Sequence, residues 1–231
     1  MSELIALKAQ QLASDSILMK SYEEFYNEKG FFFTKNPNLA GAKRKPPKFP
    51  INSKGFSQKW TEPEWFVNSQ KFYLMYLAGM DKNKYVKDSD YESLKKAYDK
   101  WDQRYYVVFY GDSAKWTCNL FVGEALYMAG KNSLTSSSKY YSAKQIWNEE
   151  GIFKQIKKSE VQRGDIVSFY SGLHVEIVSQ VMEEGLIFKD KVSFCSRGAG
   201  RGSSDFGTEK CNDTQNSRLI NKKDIKFLRV F

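Results

Sequence analysis

The chain has 231 residues, of which 41% are hydrophobic and 16% aromatic, which favours a packed core of one large or two small domains and excludes a disordered protein. Its formal net charge of +9 favours an anionic partner, either nucleic acid or a polymer such as a cell wall. No apolar run approaches the roughly 18 residues of a membrane span, and the first residues lack the basic start of a secretory signal. We therefore expect a protein made in the cytoplasm without a signal peptide and without a membrane span.

The first hundred residues are predicted to form a mainly helical region with one long loop. Its elements are a helical stripe from Leu4 that stops at Gly30, a Pro/Gly-rich loop at 34–59, a helix from a capping box at 61–64 to Gly79, and a helix from a capping box at 89–92. The basic cluster at 43–48 lies in the proline-broken loop, with no helix to present it. We therefore interpret that cluster as a solvated loop and not as a nucleic-acid site.

The rest of the chain is predicted to be a helix followed by successive strands, a pattern typical of an α+β fold. The elements are a strand at 105–110, a helix from Thr117 as N-cap to Gly130, a short helix from Ser142 to Gly151, and strands at 165–170, 174–182, 186–189, 192–196 and 225–231. A hairpin turn is predicted at 184–185 and a loop at 197–216. These patterns predict a helical region at 1–100 and a second domain at 101–231.

Two residues carry the chemistry that this pattern allows. Cys118 begins a predicted helix, whose unpaired amides and dipole favour a thiolate and can bind an oxyanion. His174 is the only histidine, and a thiol nucleophile needs such a base to take its proton. Because His174 begins a strand, it can meet Cys118 where the helix packs on the sheet. Glu176 shares a strand face with His174, about 7 Å away, and is a candidate to orient the ring or contact substrate.

Other candidates for the third residue remain open: Ser193, Cys195 and Ser196 on a neighbouring strand, and Asp112 near the nucleophile. Cys195 and Cys211 can pair after export, which would leave Cys118 as the reactive thiol, or all three can stay reduced. We expect no metal, because one histidine and dispersed cysteines lack ligand spacing. We also expect no cofactor, because the glycine-rich stretch at 198–202 matches neither a dinucleotide-binding nor a Walker loop.

The chain resembles the NlpC-like and CHAP group of papain-like cysteine amidases over roughly residues 105–200. Three stretches carry the resemblance: Cys118 with Phe121-Val122, then Gly164-Asp165-Ile166-Val167, then His174-Val175-Glu176-Ile177-Val178. The resemblance implies a papain-like core with a helix packed on an antiparallel sheet. Two features depart from it. Thr117 and Asn119 stand where many members have Asp and Ser, and no His or Glu stands at 192–196, where the third polar residue is usual.

The resemblance implies a cysteine hydrolase, an amidase or endopeptidase that cuts amide bonds in peptidoglycan stem peptides. The Cys-Asn-x-Phe-Val variant, the missing signal peptide and the basic charge look like antibacterial effectors of contact-dependent secretion, such as type VI. That likeness implies a secretion-system component and a cognate immunity protein as partners, and activity in the periplasm of a target cell. Two alternatives stay open: a Cys-His hydrolase or acyltransferase acting on a protein, and a non-catalytic basic binding module.

Overall fold

The computed structural model describes residues 2–27, 30–44, 64–81, 88–101, 104–110, 116–182, 193–200, 205–212 and 224–231. Within them the protein is α+β, with helices and antiparallel sheets, as the sequence predicts. The helices are α1 (Ser2–Ala13), α2 (Ser16–Asn27), α3 (Glu64–Leu77), α4 (Tyr91–Asp99), α5 (Cys118–Met128) and α6 (Ala143–Trp147). The strands are β1 (Phe31–Thr34), β2 (Tyr106–Phe109), β3 (Phe153–Ile156), β4 (Ile166–Phe169), β5 (His174–Val181), β6 (Phe194–Arg197), β7 (Glu209–Asn212) and β8 (Ile225–Val230).

The chain divides into two compact units, one formed by Met1–Glu23 with Trp116–Phe231 and one formed by Glu24–Lys115. This division differs from the predicted boundary at residue 100. The reason is that α1 packs against α5 and β5, so the start of the chain belongs with its second half. Among the described residues, no helix is long and apolar enough to cross a bilayer.

The unit formed by Glu24–Lys115 has a core of aromatic rings. Its strands β1 and β2 pair antiparallel, with Phe31 opposite Phe109. The ring of Phe33 lies 4.8 Å from that of Trp101 and 6.0 Å from that of Tyr73, between centroids. All four residues of β1 are buried, so this strand has no polar face, and the sequence pattern did not predict it.

The other unit is built on a six-stranded antiparallel sheet of order β3-β8-β4-β5-β6-β7. Helix α5 packs against β5, and α1 packs against both. Gly164 lies in the turn before β4 with φ +90°, and a Cβ there would overlap the carbonyl oxygen of Ser2. The glycine therefore allows the start of α1 to contact the sheet directly.

Several predicted details need correction. The first helical stripe is divided into α1 and α2, because the side chain of Asp15 accepts the amide of Leu18 and caps α2. The capping box at 89–92 is absent, because a 3-10 turn precedes α4 and its N-cap, Asp90, makes no side-chain capping bond. The capping box of Ser142 with Gln145 is present, but α6 ends at Trp147 rather than at Gly151.

Strands β3 and β7 were not predicted, and β7 lies inside the segment predicted as a loop at 197–216. Its sequence, Glu-Lys-Cys-Asn, has no apolar alternation. The strand is defined by its antiparallel pairing with β6 and not by packing on the core. Other predictions lie wholly or partly outside the described residues: the capping box at 61–64, the basic cluster at 43–48, the hairpin at 184–185, the strand at 186–189, and Asp112.

Candidate active site

Cys118 is the first residue of α5 and is 3% exposed. Thr117 occupies the N-cap position, but its side chain makes no capping bond, contrary to the prediction. Its ψ of −17° is helical rather than extended, which turns the hydroxyl away from the first turn, and Oγ1 donates instead to the carbonyl of Gly200 at 3.5 Å. The amides of the first turn, beside the sulfur, are thus not capped by Thr117.

His174 is the first residue of β5, and its side chain is 18% exposed. It stands directly opposite Phe169 of β4, and the two rings stack with centroids 5.8 Å apart. This pairing follows from the antiparallel register, in which directly opposed side chains lie on the same face. Phe169 was not predicted from the sequence as part of the site, although its place at the end of the preceding strand is consistent with that pairing.

Glu176 follows two positions along the same strand and is buried. Its Oε1 lies 2.8 Å from Nε2 of His174, and its Oε2 accepts a hydrogen bond from Oγ of Ser196 at 2.5 Å. Gly198, just after β6, lies close behind the carboxylate, since a Cβ there would lie 2.6 Å from Cγ of Glu176. This close packing was not predicted from the sequence, because it depends on the register between β5 and β6.

The charge state of His174 follows from these neighbours. Burial alone lowers the pKa of the imidazole, but side-chain hydrogen bonds with Cys118 and Glu176, and the charges of both, outweigh it and raise the pKa from 6.5 to about 9. The contact with Glu176 occupies Nε2, which leaves Nδ1 as the second ring nitrogen. The imidazole therefore retains its proton at neutral pH.

The structure thus brings together the three residues that the sequence singled out, Cys118, His174 and Glu176. Of the other candidates for the third position, Ser196 binds Glu176, whereas Ser193 lies before β6, where its carbonyl accepts the amide of Met182. A thiol, an imidazole and a carboxylate arranged in this order can carry out nucleophilic attack on a carbonyl with proton transfer to and from the ring.

Large exposed apolar side chains stand close before Cys118 and His174 in the sequence. Trp116, two residues before Cys118, is 55% exposed, and Leu173, immediately before His174, is 64% exposed. Exposed apolar surface beside a site of this kind favours contact with a partly apolar substrate or partner.

The remaining cysteines form a disulfide, a pairing that the sequence left open. Cys195 of β6 and Cys211 of β7 stand opposite each other in the sheet and are bonded, so Cys118 is the free thiol of the three. The Gly-Asp pair of the second motif is structural. Asp165 is buried and accepts two hydrogen bonds from the guanidinium of Arg229, at 3.0 and 2.9 Å, which ties β8 to the start of β4.

In the part of the chain that the structure describes, no group of three or more His, Cys, Asp or Glu side chains is arranged to hold a metal ion. Comparison of the chain with known protein families, with curated proteins and with solved structures found no match. The likeness to papain-like amidases therefore stays a prediction that rests on the three sequence motifs.

Proposed function

We propose that this protein is a cysteine amidase or endopeptidase that hydrolyses amide bonds in the stem peptides of peptidoglycan. One observation carries the proposal. The free thiol of Cys118, at the start of a helix, raises the pKa of the chain's single imidazole, and a buried carboxylate binds Nε2 of that ring. Acyl transfer by a thiol requires a thiol at a helix start, a base that takes its proton, and a carboxylate that orients the base.

The proposed reaction has two steps. In the first, His174 holds the proton of the thiol, the sulfur of Cys118 attacks the substrate carbonyl, and the amides of the first turn of α5 bind the oxyanion. The imidazolium then gives its proton to the leaving amine, the C–N bond breaks, and a thioester to Cys118 forms. In the second step, water gives a proton to His174 and attacks the thioester, which releases the carboxylic acid and regenerates the thiol.

Three features support a bacterial wall as the substrate. The net charge of +9 suits an anionic polymer, and the apolar side chains of Trp116 and Leu173 suit the alkyl groups of a short peptide. The Cys195–Cys211 disulfide suits an oxidising compartment such as the periplasm. Together with the motif resemblance, these features favour an antibacterial effector that a secretion-system component delivers and a cognate immunity protein neutralises.

The proposal is tested by digesting purified sacculi and identifying the released muropeptides by mass spectrometry. Wild-type protein should release peptide fragments whose masses identify the bond that is cut. Cys118→Ala and His174→Ala should abolish release while circular dichroism shows that both variants remain folded. Full activity in either variant would refute the proposed chemistry.

A protein substrate is distinguished from the cell wall by the compartment in which expression of the enzyme is toxic. Wild type and Cys118→Ala are expressed in bacteria with and without a periplasmic targeting sequence. Lysis by the wild type only when it is exported supports the wall as the substrate. Toxicity that depends on Cys118 but occurs in the cytoplasm would point to a protein or another acyl compound instead.

A further inference from the structure

A buried serine lies behind the carboxylate that contacts the imidazole. Ser196 of β6 is fully buried, and its hydroxyl donates to Oε2 of Glu176 at 2.5 Å. The other oxygen, Oε1, contacts Nε2 of His174 at 2.8 Å. The two oxygens of one carboxylate are therefore bound by groups from two different strands.

Hydrogen bonds to both carboxylate oxygens of Glu176 restrict the orientation of that group more than one hydrogen bond does. The terminal torsion of a glutamate is broad, so a single hydrogen bond leaves the carboxylate plane free to rotate. A second bond, to a group fixed in the neighbouring strand, defines that plane and with it the direction in which Oε1 meets the imidazole.

The position of Ser196 is itself well fixed. It stands opposite Val178 of β5 in the sheet, and the residue before it, Cys195, is joined to β7 by the disulfide. Two residues later, Gly198 packs against the side chain of Glu176. The hydroxyl therefore comes from a paired strand of the sheet and not from a loop.

We propose that Ser196 is a positioning residue for the hydrolase, which acts through Glu176 to orient the imidazole of His174. This inference rests on the proposed function. The titratable groups that act on His174 are Glu176 from its own strand and Cys118 from α5, so a change at Ser196 reaches the ring through the first of these.

The test compares Ser196→Ala with a matched control, Ser168→Ala. Ser168 is an equally buried serine in the same sheet, and its hydroxyl donates to the backbone carbonyl of His174 at 3.4 Å rather than to Glu176. Two quantities are measured in both variants: kcat and KM for release of muropeptides, and the pKa of the imidazole by NMR titration. The titration has a single signal to follow, because the chain has one histidine.

We expect Ser196→Ala to lower kcat about tenfold, with little change in KM, because a buried charged acceptor loses its donor. We also expect it to lower the pKa of His174, whereas Ser168→Ala leaves both quantities near wild type. In a Glu176→Gln background, Ser196→Ala should have little further effect, since the serine acts through the carboxylate.

The proposal is overturned if Ser196→Ala titrates and turns over like wild type, or if Ser168→Ala has the same effects. It is also overturned if the double variant lowers kcat by the product of the factors that Ser196→Ala and Glu176→Gln show singly. The NMR titration needs no substrate, so it tests the role of Ser196 even if wild-type protein leaves peptidoglycan intact. An inactive wild type in which Ser196→Ala still lowers the imidazole pKa would count against the proposed function alone.

Discussion

Nε2 of His174 lies 2.8 Å from Oε1 of Glu176, which stands two residues further along the same strand. The alternation of side chains in a strand places both on one face of the sheet, so a single strand supplies the imidazole and the carboxylate that binds it. In the amidases that the chain resembles, the third polar residue is expected on the strand that follows the histidine strand. Here that strand supplies Ser196, one contact further from the ring.

Glu176→Gln should lower the rate of muropeptide release by about 100-fold or more, because the amide lacks the charge that stabilises the protonated ring. The rate is measured by chromatography of released fragments under saturating substrate. The matched control is Glu150→Gln, an exposed glutamate whose replacement should leave the rate unchanged. Equal rates for wild type and Glu176→Gln would remove Glu176 from the site.

The pKa of His174 should be about 9 in the folded protein, against an ordinary value of 6.5. Cys118→Ala and Glu176→Gln should each lower it, because each removes a hydrogen bond and a charge that raise it. If both are replaced, burial is the main remaining effect, and the pKa should fall below 6.5. NMR titration of the single imidazole measures these values directly, and a wild-type midpoint near 6.5 would contradict them.

The raised pKa also predicts how stability depends on pH. The fold favours the protonated ring, so this contribution to the free energy of unfolding is fully present below pH 6.5 and is lost as the pH rises towards about 9. Urea unfolding at a series of pH values should show the advantage of wild type over His174→Gln shrinking across that window. A difference that stays constant, or grows with pH, would contradict this sign.

Gly198→Ala should impair activity more than stability. The new Cβ would lie 2.6 Å from Cγ of Glu176, so this side chain must shift from its present position beside the ring, and a displacement of about 1 Å at such a site can cost roughly 100-fold in rate. Gly30→Ala is the control, because nothing lies within 4 Å of a Cβ at that position. Wild-type activity in Gly198→Ala would mean that the position of Glu176 is not critical.

The disulfide should contribute to stability by restricting the unfolded chain. Cys195 and Cys211 are 16 residues apart, and a cross-link over a loop of this length contributes about 3 kcal/mol. Replacing both, as Cys195→Ala with Cys211→Ser, should lower the free energy of unfolding by about that amount. Guanidinium unfolding compares this variant with wild type and with Cys118→Ala, which keeps the cross-link; an unchanged midpoint would contradict the prediction.

The parts of the fold with a local sequence pattern were the predictable ones. Helix α5 begins at Cys118 and β5 at His174, as the apolar spacing and the strand pattern predict. Glu176 shares a face with His174 because strand alternation is a local property. The roles of these residues in catalysis remain predictions.

What the sequence did not predict depends on contacts between distant segments. Strand β7 has no apolar alternation and is defined by its pairing with β6, and the association of α1 with the later part of the chain depends on packing against α5. The hydroxyl of Thr117 was expected to cap α5, but the backbone at that residue directs it to Gly200 instead. Residue types alone do not specify such backbone angles.

The central claim is that Cys118 is a nucleophile activated by His174, and alkylation of the folded protein tests it most directly. Cys118 is the free cysteine, so a mass increase after brief treatment with iodoacetamide near pH 7 reports this one thiol. We predict labelling of native wild type on the order of tenfold faster than in His174→Ala, because an unassisted thiol is only a few per cent ionised at that pH. Labelling that occurs only after unfolding, or at the same rate in both proteins, would contradict the account.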